Sequence, residues 1–193
     1  MQCVILAGGL GTRMRPFTER LPKALIPVNG VPFASHQLRL LARQGVRDVV
    51  YSIGYMGERI RSYVGDGNAW GLRVQYLDDG PTLLGTAGAL RKGLAAGLIQ
   101  SPFLTLYGDA FLPTAFQPVV RAFTTAAQPA LMTVYRNADA WAPSNVDFAE
   151  GMVRLYDKRP EHRPRRCLTS TTASRCSRPG LSRRRVCWLD QPT

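Results

Sequence analysis

The sequence predicts an α/β fold in which a mostly parallel β-sheet carries helices on both faces. Short apolar runs alternate along the chain with amphipathic segments, and most of these runs end in Gly-rich or polar turns. Strands that alternate with helices favour a parallel sheet covered on both faces, because each crossover helix packs back onto the sheet. With 193 residues, the chain is long enough to bury the core of one domain.

The first strand and helix are predicted both from their apolar residues and from the glycines that follow them. A buried strand is expected at residues 3–7, where the run CVILA leads into a Gly-rich loop. Asn29-Gly30 marks a turn. A helix is expected at residues 33–44, because its apolar residues fall on one face and Gly45 follows as a stop signal.

The later elements continue the alternation of strands and helices. The run DVVYSI predicts a buried strand, RVQYL alternates as a strand should, and Glu150-Gly151 joins the last two strands. The expected order is a strand at 48–53, a helix at 58–64, a strand at 73–77, a helix at 86–96, a strand at 102–106, a helix at 115–126, and strands at 130–135, 145–148 and 152–156. Sheets of this kind bind ligands beyond the carboxyl ends of their strands, where the Gly-rich loop and Asp109 both fall.

The positive charge is concentrated at the end of the chain. The net charge is +12, and more than half of the excess lies in residues 159–193, which hold nine arginines and two acidic residues. The remainder suits a phosphate-handling site as well as it suits nucleic acid, so no specific nucleic-acid partner is expected. The segment from Pro160 is rich in Arg, Ser, Thr and Pro without a helical or strand period. A domain at residues 1–159 and a disordered tail at residues 160–193 are therefore predicted.

We expect no signal for export or for a membrane in this sequence. No apolar run approaches the roughly 18 residues of a membrane helix, and Gln2 leads into the first strand with no basic region or cleavage site. A cytoplasmic protein without a membrane partner is expected. The cysteines form no CxxC pair and have no histidine at ligand spacing, so zinc is not expected and Cys3 is predicted to be a buried strand residue.

The loop after the first strand, LAGGLGTRMRP, has the composition of a phosphate-binding loop. It lacks the Lys-Ser/Thr of a P-loop, and Met14 stands where the dinucleotide fingerprint GxGxxG needs its last glycine. Exposed backbone N–H groups of glycines can surround an anion, and the guanidinium of Arg13 can bind a phosphate through two parallel hydrogen bonds. The same glycines would also serve a tight turn with no ligand.

The loop and four later segments resemble the sugar-phosphate nucleotidyltransferase family, which includes the NDP-sugar pyrophosphorylases and the mannose-, glucose- and heptose-1-phosphate nucleotidyltransferases. LAGGLGTRMRP and PKALIPV resemble its signature, LGTAGAL resembles its nucleotide-base loop, YGD its metal-binding turn, and Asn145 with YDK its sugar-phosphate elements. The segments cover about residues 2–159 in the family's order. The resemblance implies a Rossmann-like fold of the nucleotide-diphospho-sugar transferase type, and the transfer of a nucleoside monophosphate from an NTP to a sugar 1-phosphate with release of pyrophosphate.

The resemblance assigns roles to particular residues. Arg13, Lys23 and Asp109 would be catalytic, with Asp109 as the ligand of Mg²⁺. The nucleotide would be bound by Leu6, Ala7, Gly8, Gly9, Gly11, Thr12, Arg13, Lys23, Gly85 and Thr86, and the sugar phosphate by Gly108, Asn145 and Lys158. Neither the base nor the sugar is indicated, and the oligomeric state is not indicated either.

The chemistry of these side chains agrees with such roles but leaves alternatives open. Lys23, held between Pro22 and Ala24, would bind phosphates as a point charge, or it is a solvated loop lysine. Asp109 offers the hard oxygen ligand that Mg²⁺ prefers, or it caps the following helix. Asp78, Asp79, Trp70 and His36 are interpreted as surface or packing residues.

The chain departs from the family after the YDK strand, so the fold is expected to be incomplete at its C-terminus. Relatives continue with strands that close the sugar pocket, whereas this chain continues with the Arg-rich tail. Reading CLTSTTASRCS back into codons and shifting the frame by one base permits a stretch Ile-Asp-Tyr-Gly-Leu, which some relatives carry near this point. We therefore expect residues from about 160 onward to come from a shifted reading frame, with transfer weak or absent as a result.

Three other functions remain open on the sequence. The chain could transfer a nucleotide to another phosphorylated alcohol such as phosphocholine, or it could be a non-catalytic NTP sensor on the same fold. A basic nucleic-acid module is the third, and its binding would fall steeply with salt and disappear without residues 160–193.

Overall fold

The computed structural model describes residues 1–126, 128–136, 145–157, 169–170, 175–177 and 185–188. The chain divides into two compact units, Met1–Pro113 and Thr114–Thr193. The boundary predicted near residue 159 stays a prediction, because residues 158–168 lie outside the described residues.

The first unit contains six strands and three helices within the described residues. Its strands are β1 (Gln2–Leu6), β2 (Pro27–Val28), β3 (Val31–Pro32), β4 (Asp48–Ile53), β5 (Arg73–Asp78) and β6 (Phe103–Tyr107). Its helices are α1 (Phe33–Arg43), α2 (Gly57–Val64) and α3 (Gly85–Ala95). Short 3₁₀ turns at Thr12–Met14, Phe17–Glu19, Lys23–Leu25 and Asn68–Trp70 complete the unit.

The main sheet of the first unit is entirely parallel and has the strand order β6-β1-β4-β5. In register, Val4 lies beside Val50 on β4 and beside Thr105 on β6. Because all four strands run in one direction, their carboxyl ends meet at one edge of the sheet. The predicted parallel α/β fold is confirmed.

Helices cover both faces of this sheet. On one face, Val4, Val50 and Leu77 form a buried cluster, and Leu90 and Leu94 of α3 pack against it. On the other face, α2 starts so close to the sheet that a Cβ on Gly57 would lie 2.9 Å from the Cβ of Ile53. Cys3, which also lies in the sheet, is fully buried as predicted.

The predicted elements of the first unit agree with the structure to within one or two residues. The Asn29-Gly30 turn joins the two-residue strands β2 and β3, and both of its residues have positive φ. Burying side chains on both faces requires continuous apolar runs in parallel strands, which is why β1, β4 and β6 can be predicted from the sequence.

The second unit contains the helix α4 (Phe116–Ala126) and six strands among its described residues. The strands are β7 (Ala130–Arg136), β8 (Val146–Ala149), β9 (Met152–Tyr156), β10 (Thr169–Ser170), β11 (Arg175–Ser177) and β12 (Arg185–Trp188). Strands β8 and β9 form an antiparallel pair. Met132, Val134 and Val146 form a buried cluster with Phe148, Val153 and Tyr156 packed against it.

The tail predicted to be irregular is described only at β10, β11 and β12. At these three segments the backbone forms strands, whereas the sequence predicts an irregular tail. Strand β7 pairs with β12 in parallel and with β11 and β10 in antiparallel fashion. The rest of residues 160–193 lies outside the described residues, so the prediction for the segment as a whole stays a prediction.

Candidate active site

A cavity of about 320 Å³ opens at the carboxyl ends of the parallel strands in the first unit. Strand β1 contributes its last residue and the loop that follows, and β6 contributes the turn after Tyr107. The cavity is lined by eleven of the residues predicted from the sequence, namely Leu6, Ala7, Gly8, Gly9, Gly11, Arg13, Lys23, Gly85, Thr86, Gly108 and Asp109. Residues from distant parts of the sequence thus meet at one site, as the strand-end rule for parallel sheets predicts.

Gly8 and Gly108 allow the backbone to approach closely at this edge of the sheet. A Cβ on Gly8 would lie 2.8 Å from Oδ2 of Asp79, and a Cβ on Gly108 would lie 2.7 Å from the Cβ of Ala7. The N–H of Gly108 donates to the carbonyl of Leu6 at 2.8 Å. The turn after β6 is therefore fixed against the end of β1.

Gly11 shapes the loop that presents Arg13. Its φ of +64° lies in the left-handed region, which glycine adopts without the penalty of a side chain. Its carbonyl accepts hydrogen bonds from the N–H of Met14 at 2.9 Å and from Oγ1 of Thr18 at 3.0 Å. These bonds close the 3₁₀ turn that carries Arg13 to the cavity, while the predicted residue Thr12 lies in the same turn but is not part of the lining.

Lys23 and Asp109 form an ion pair across the cavity. Nζ of Lys23 donates to Oδ2 of Asp109 at 2.5 Å, and the two side chains are 30% and 41% exposed. Pro22 precedes Lys23 with an extended backbone, and the N–H of Leu25 donates to the carbonyl of Pro22 at 2.8 Å. The carboxylate of Asp109 thus binds a lysine in this structure, and α4 begins only at Phe116, so no helix starts at the turn that Asp109 could have capped.

Asp79 is a functional candidate that the sequence does not single out. The sequence suggests a surface or packing residue, but Asp79 is 8% exposed and lines the cavity. Its N–H donates to the carbonyl of Ile53 at 2.9 Å, and Oγ of Ser52 donates to its Oδ1 at 3.4 Å. The available signal was its position directly after β5, at the same edge of the sheet as the Gly-rich loop.

A second missed residue is Gln37 on α1. It is 1% exposed, and its Nε2 donates to the carbonyls of Tyr107 and Ala110. The available signal was a polar residue inside the apolar stripe of the helix, between Ala34 and Leu41.

Asn145, one of two further residues predicted to bind the sugar phosphate, is not part of this cavity's lining. Asn145 lies in the second unit, where its backbone carbonyl accepts a hydrogen bond from the N–H of Asp157 at 3.1 Å. Lys158 lies outside the described residues. Their roles stay predictions.

Cys3 is no candidate for a reactive group at this site. Burial raises the pKa of its thiol far above the usual range. The thiolate is the nucleophilic form of cysteine, so Cys3 stays protonated and acts as a small apolar residue of the sheet.

The donor set fits a magnesium ion bound together with phosphates. Mg²⁺ in proteins usually keeps several waters and is held by one or two carboxylates and the phosphates of its substrate. Asp109 supplies one such carboxylate at the cavity. Within the described residues, no cluster of three or more His, Cys, Asp or Glu side chains could bind a metal by itself.

The family model described as "Nucleotidyl transferase" matches residues 2–145, well over half of the chain. The chain belongs to the nucleotidyl transferase family. All the residues that line the cavity fall inside the part of the chain that the family model matches.

Several curated relatives of the chain are named for reactions on sugar 1-phosphates. The chain is 33% identical over 165 residues to an N-acetylmuramate alpha-1-phosphate uridylyltransferase from Neisseria meningitidis, which covers 83% of this chain and 68% of that protein. It is 34% identical over 112 residues to a D-glycero-alpha-D-manno-heptose 1-phosphate guanylyltransferase from Campylobacter jejuni, which covers 58% of this chain and 48% of that protein. The chain thus spans two thirds of one relative and about half of the other.

Solved structures share the fold of this chain. HddC from Yersinia pseudotuberculosis, solved in complex with GMP-PN, matches with a TM-score of 0.77 at 19% identity, over 97% of this chain and 90% of that chain. At this identity the likeness shows the fold. The resemblance identified in the sequence and the Rossmann-like fold that it implies are both confirmed.

No helix in the described part of the chain combines the length and the apolar character needed to cross a membrane.

Proposed function

We propose that this protein transfers a nucleoside monophosphate from an NTP to a sugar 1-phosphate and releases pyrophosphate. The observation that carries the proposal is the meeting of a Gly-rich loop, two cations and a carboxylate in one cavity at the carboxyl edge of a parallel sheet. The names of the two curated relatives described above agree with this reaction class.

The reaction joins two phosphorylated anions, so the site must neutralise charge and hold the attacking oxygen in line with the α-phosphorus. The backbone N–H groups of the loop at Gly8, Gly9 and Gly11 are suited to bind the triphosphate. Arg13 offers it two parallel hydrogen bonds, and Lys23 offers a compact positive charge.

Asp109 is the residue that would hold Mg²⁺, which would neutralise the charge on the phosphate oxygens when bound. In the structure this carboxylate pairs with Lys23. Asp109 would hold the metal of an Mg²⁺–NTP complex and Lys23 would bind its phosphates, so each partner of the ion pair would keep a counterion.

Asp79 is suited to the nucleoside end of the NTP. A buried carboxylate accepts hydrogen bonds and repels phosphates, so it favours a ligand that presents an N–H donor. Asp79 and the start of α3 at Gly85 line the same cavity, and the segment around Gly85 resembles the base loop of the family. We propose that an N–H group of the base donates to Asp79.

Binding of the sugar 1-phosphate is supported by fewer residues of the chain than binding of the NTP. Asn145 and Lys158 carry it by resemblance alone, and the chain spans only part of its relatives. NTP binding is expected to depend on the cavity of the first unit. Transfer further requires the sugar-phosphate residues, and we propose that it is impaired by the Arg-rich tail.

The test is pyrophosphate release by the full chain with each NTP, Mg²⁺ and a panel of sugar 1-phosphates, together with calorimetric measurement of NTP binding. Release that requires one sugar, one NTP and Asp109 supports the transferase. The matched control is Asp48→Asn, because Asp48 is a partly exposed carboxylate that pairs with Arg73 and does not line the cavity. It should leave release unchanged where Asp109→Asn abolishes it.

The same measurements separate the alternatives. NTP binding without release under any condition favours an NTP sensor or a transferase impaired on its sugar side. Pyrophosphate release with phosphocholine in place of a sugar 1-phosphate indicates that the acceptor is another phosphorylated alcohol. Absence of NTP binding contradicts the proposal.

A further inference from the structure

Gln37 is a polar side chain in the apolar face of α1. It is 1% exposed and shares the buried face of the helix with Ala34, Leu38 and Leu41. Glutamine is mostly found at protein surfaces. Its burial here therefore calls for an explanation in terms of its hydrogen bonds.

Both hydrogen bonds of the Gln37 amide go to the turn that carries Asp109. Nε2 donates to the carbonyl of Tyr107 at 2.8 Å and to the carbonyl of Ala110 at 2.6 Å. The partners are 70 and 73 residues away in sequence. Since both are carbonyl oxygens, the amide nitrogen and not the amide oxygen must face them.

The two carbonyls are the ends of one tight turn. The N–H of Ala110 donates to the carbonyl of Tyr107 at 3.0 Å and closes it, and the N–H of Gly108 ties it to Leu6 of β1. Asp109 lies between the two carbonyls that Gln37 binds, and its side chain meets Lys23. The turn is thus held both by the Gln37 amide of α1 and by the end of β1.

Packing alone does not account for an amide at this position. Among the described residues, Oε1 of Gln37 is buried without a hydrogen-bond partner, which disfavours the folded state. A methionine of similar shape would fill the same space with no buried unpaired oxygen. What the amide adds is the pair of bonds to the turn.

We propose that Gln37 is a positioning residue that holds the Asp109 carboxylate in the place where it binds the metal of the metal–NTP complex. The inference rests on the proposed function, because it assumes that Asp109 is the metal ligand. Residues that orient a metal ligand through hydrogen bonds typically change metal affinity or activity by about 10- to 100-fold when replaced.

The test is Gln37→Met, with Ser35→Ala as the matched control. Ser35 is 1% exposed on the same helix, and its hydroxyl bonds Tyr63 at 2.7 Å, away from the turn. We expect Gln37→Met to raise the Mg²⁺ or Mn²⁺ concentration for half-maximal NTP binding and half-maximal pyrophosphate release about tenfold. NTP affinity without metal should stay unchanged, and Ser35→Ala should change neither metal constant.

A double-mutant cycle separates positioning from a general effect on folding. In an Asp109→Asn background, Gln37→Met should have no further effect on the metal dependence of NTP binding, because the group that it positions is gone. Gln37→Asn keeps a donor amide on a shorter side chain, and its metal constant should fall between those of the unchanged protein and Gln37→Met. If Gln37→Met fails to fold, the Gln37→Asn variant carries the test.

An unchanged metal constant in Gln37→Met would overturn the inference, and so would an equal loss with and without the Asp109→Asn substitution. If the unchanged protein binds NTP with a metal but releases no pyrophosphate, the proposed reaction fails while the metal dependence of binding still tests Gln37. If no NTP binds, both fail.

Discussion

The two carboxylates of the cavity follow strands of the same parallel sheet but lie in opposite surroundings. Asp109 is 41% exposed and pairs with Lys23, whereas Asp79 is buried and accepts a long hydrogen bond from Ser52. We call these the Asp109 side and the Asp79 side. An exposed ion pair can exchange its partners for a ligand at small cost to folding, while a buried carboxylate is fixed in place and can discriminate between ligands. We therefore expect the Asp109 side to neutralise the charge of the phosphates and the Asp79 side to select among the NTPs.

After the loss expected for Asp109→Asn, the next largest effect is expected from removing a cation of the cavity. Lys23→Ala or Arg13→Ala should lower turnover by about 10²- to 10³-fold, because each removes a positive charge from the developing negative charge of the transition state. The free energy of unfolding should change by less than about 1 kcal/mol, since the Lys23–Asp109 pair is partly exposed. Initial rates of pyrophosphate release measure the change in turnover, and urea denaturation measures the change in the free energy of unfolding.

Arg73→Ala serves as the control, because Arg73 pairs with Asp48 outside the cavity. Its turnover should match that of the unchanged protein. Equal losses of turnover in Arg73→Ala and Lys23→Ala would mean that total charge, and not the cation at the cavity, matters.

A smaller effect, on selectivity, is expected from the Asp79 side. Asp79→Asn should weaken binding of the preferred NTP by about 1–3 kcal/mol, because the amide has one acceptor oxygen in place of two and lacks the charge that strengthens a hydrogen bond from a base N–H. The order of preference among the four NTPs should change, whereas Asp109→Asn should weaken all four alike. Competition binding with the four NTPs measures this, and a uniform loss in Asp79→Asn would contradict the division between the two sides.

The difference between the sides also explains how far the sequence predicts the site. The Asp109 side is predictable because its residues lie in contiguous motifs, and the sheet that joins them follows from apolar strands. Asp79 and Gln37 are not predictable in this way. Their roles depend on burial and on contacts across 27 and 70 or more residues, which apolar periodicity does not encode. The Asn145 and Lys158 predictions rest on resemblance and are untouched by the geometry of the first unit.

Gly8 provides a way to disturb the Asp79 side without changing its charge. An alanine there would place its Cβ 2.8 Å from Oδ2 of Asp79 and 3.4 Å from the backbone nitrogen of Gly54. Because the largely buried Asp79 carboxylate must shift from its place beside Ser52 to make room, the contact should cost about 1–3 kcal/mol of stability. Gly9→Ala is the matched control, because its Cβ would meet nothing within 4 Å. Urea denaturation should show a loss for Gly8→Ala only, accompanied by weaker NTP binding.

The smallest effect is expected in β4, the strand whose Ser52 bonds Asp79. Tyr51 is fully buried, and within the described residues its hydroxyl has no hydrogen-bond partner. Tyr51→Phe removes a desolvated hydroxyl and should leave the free energy of unfolding unchanged or raise it by up to about 1 kcal/mol at neutral pH. NTP selectivity should not change, because the hydroxyl does not line the cavity.

The stability gained by Tyr51→Phe should depend on pH. Burial, followed by the nearby Tyr76 and Cys3, raises the pKa of Tyr51 above its usual value of 10.0. The folded protein therefore keeps this proton at pH values where the unfolded chain releases it, so the contribution of Tyr51 is complete below about pH 10 and is lost as the pH rises above it. Phenylalanine has no proton to release, so the stability advantage of Tyr51→Phe should grow between about pH 10 and 11. An advantage that stays constant over this range would mean that the Tyr51 hydroxyl is hydrated in the folded protein.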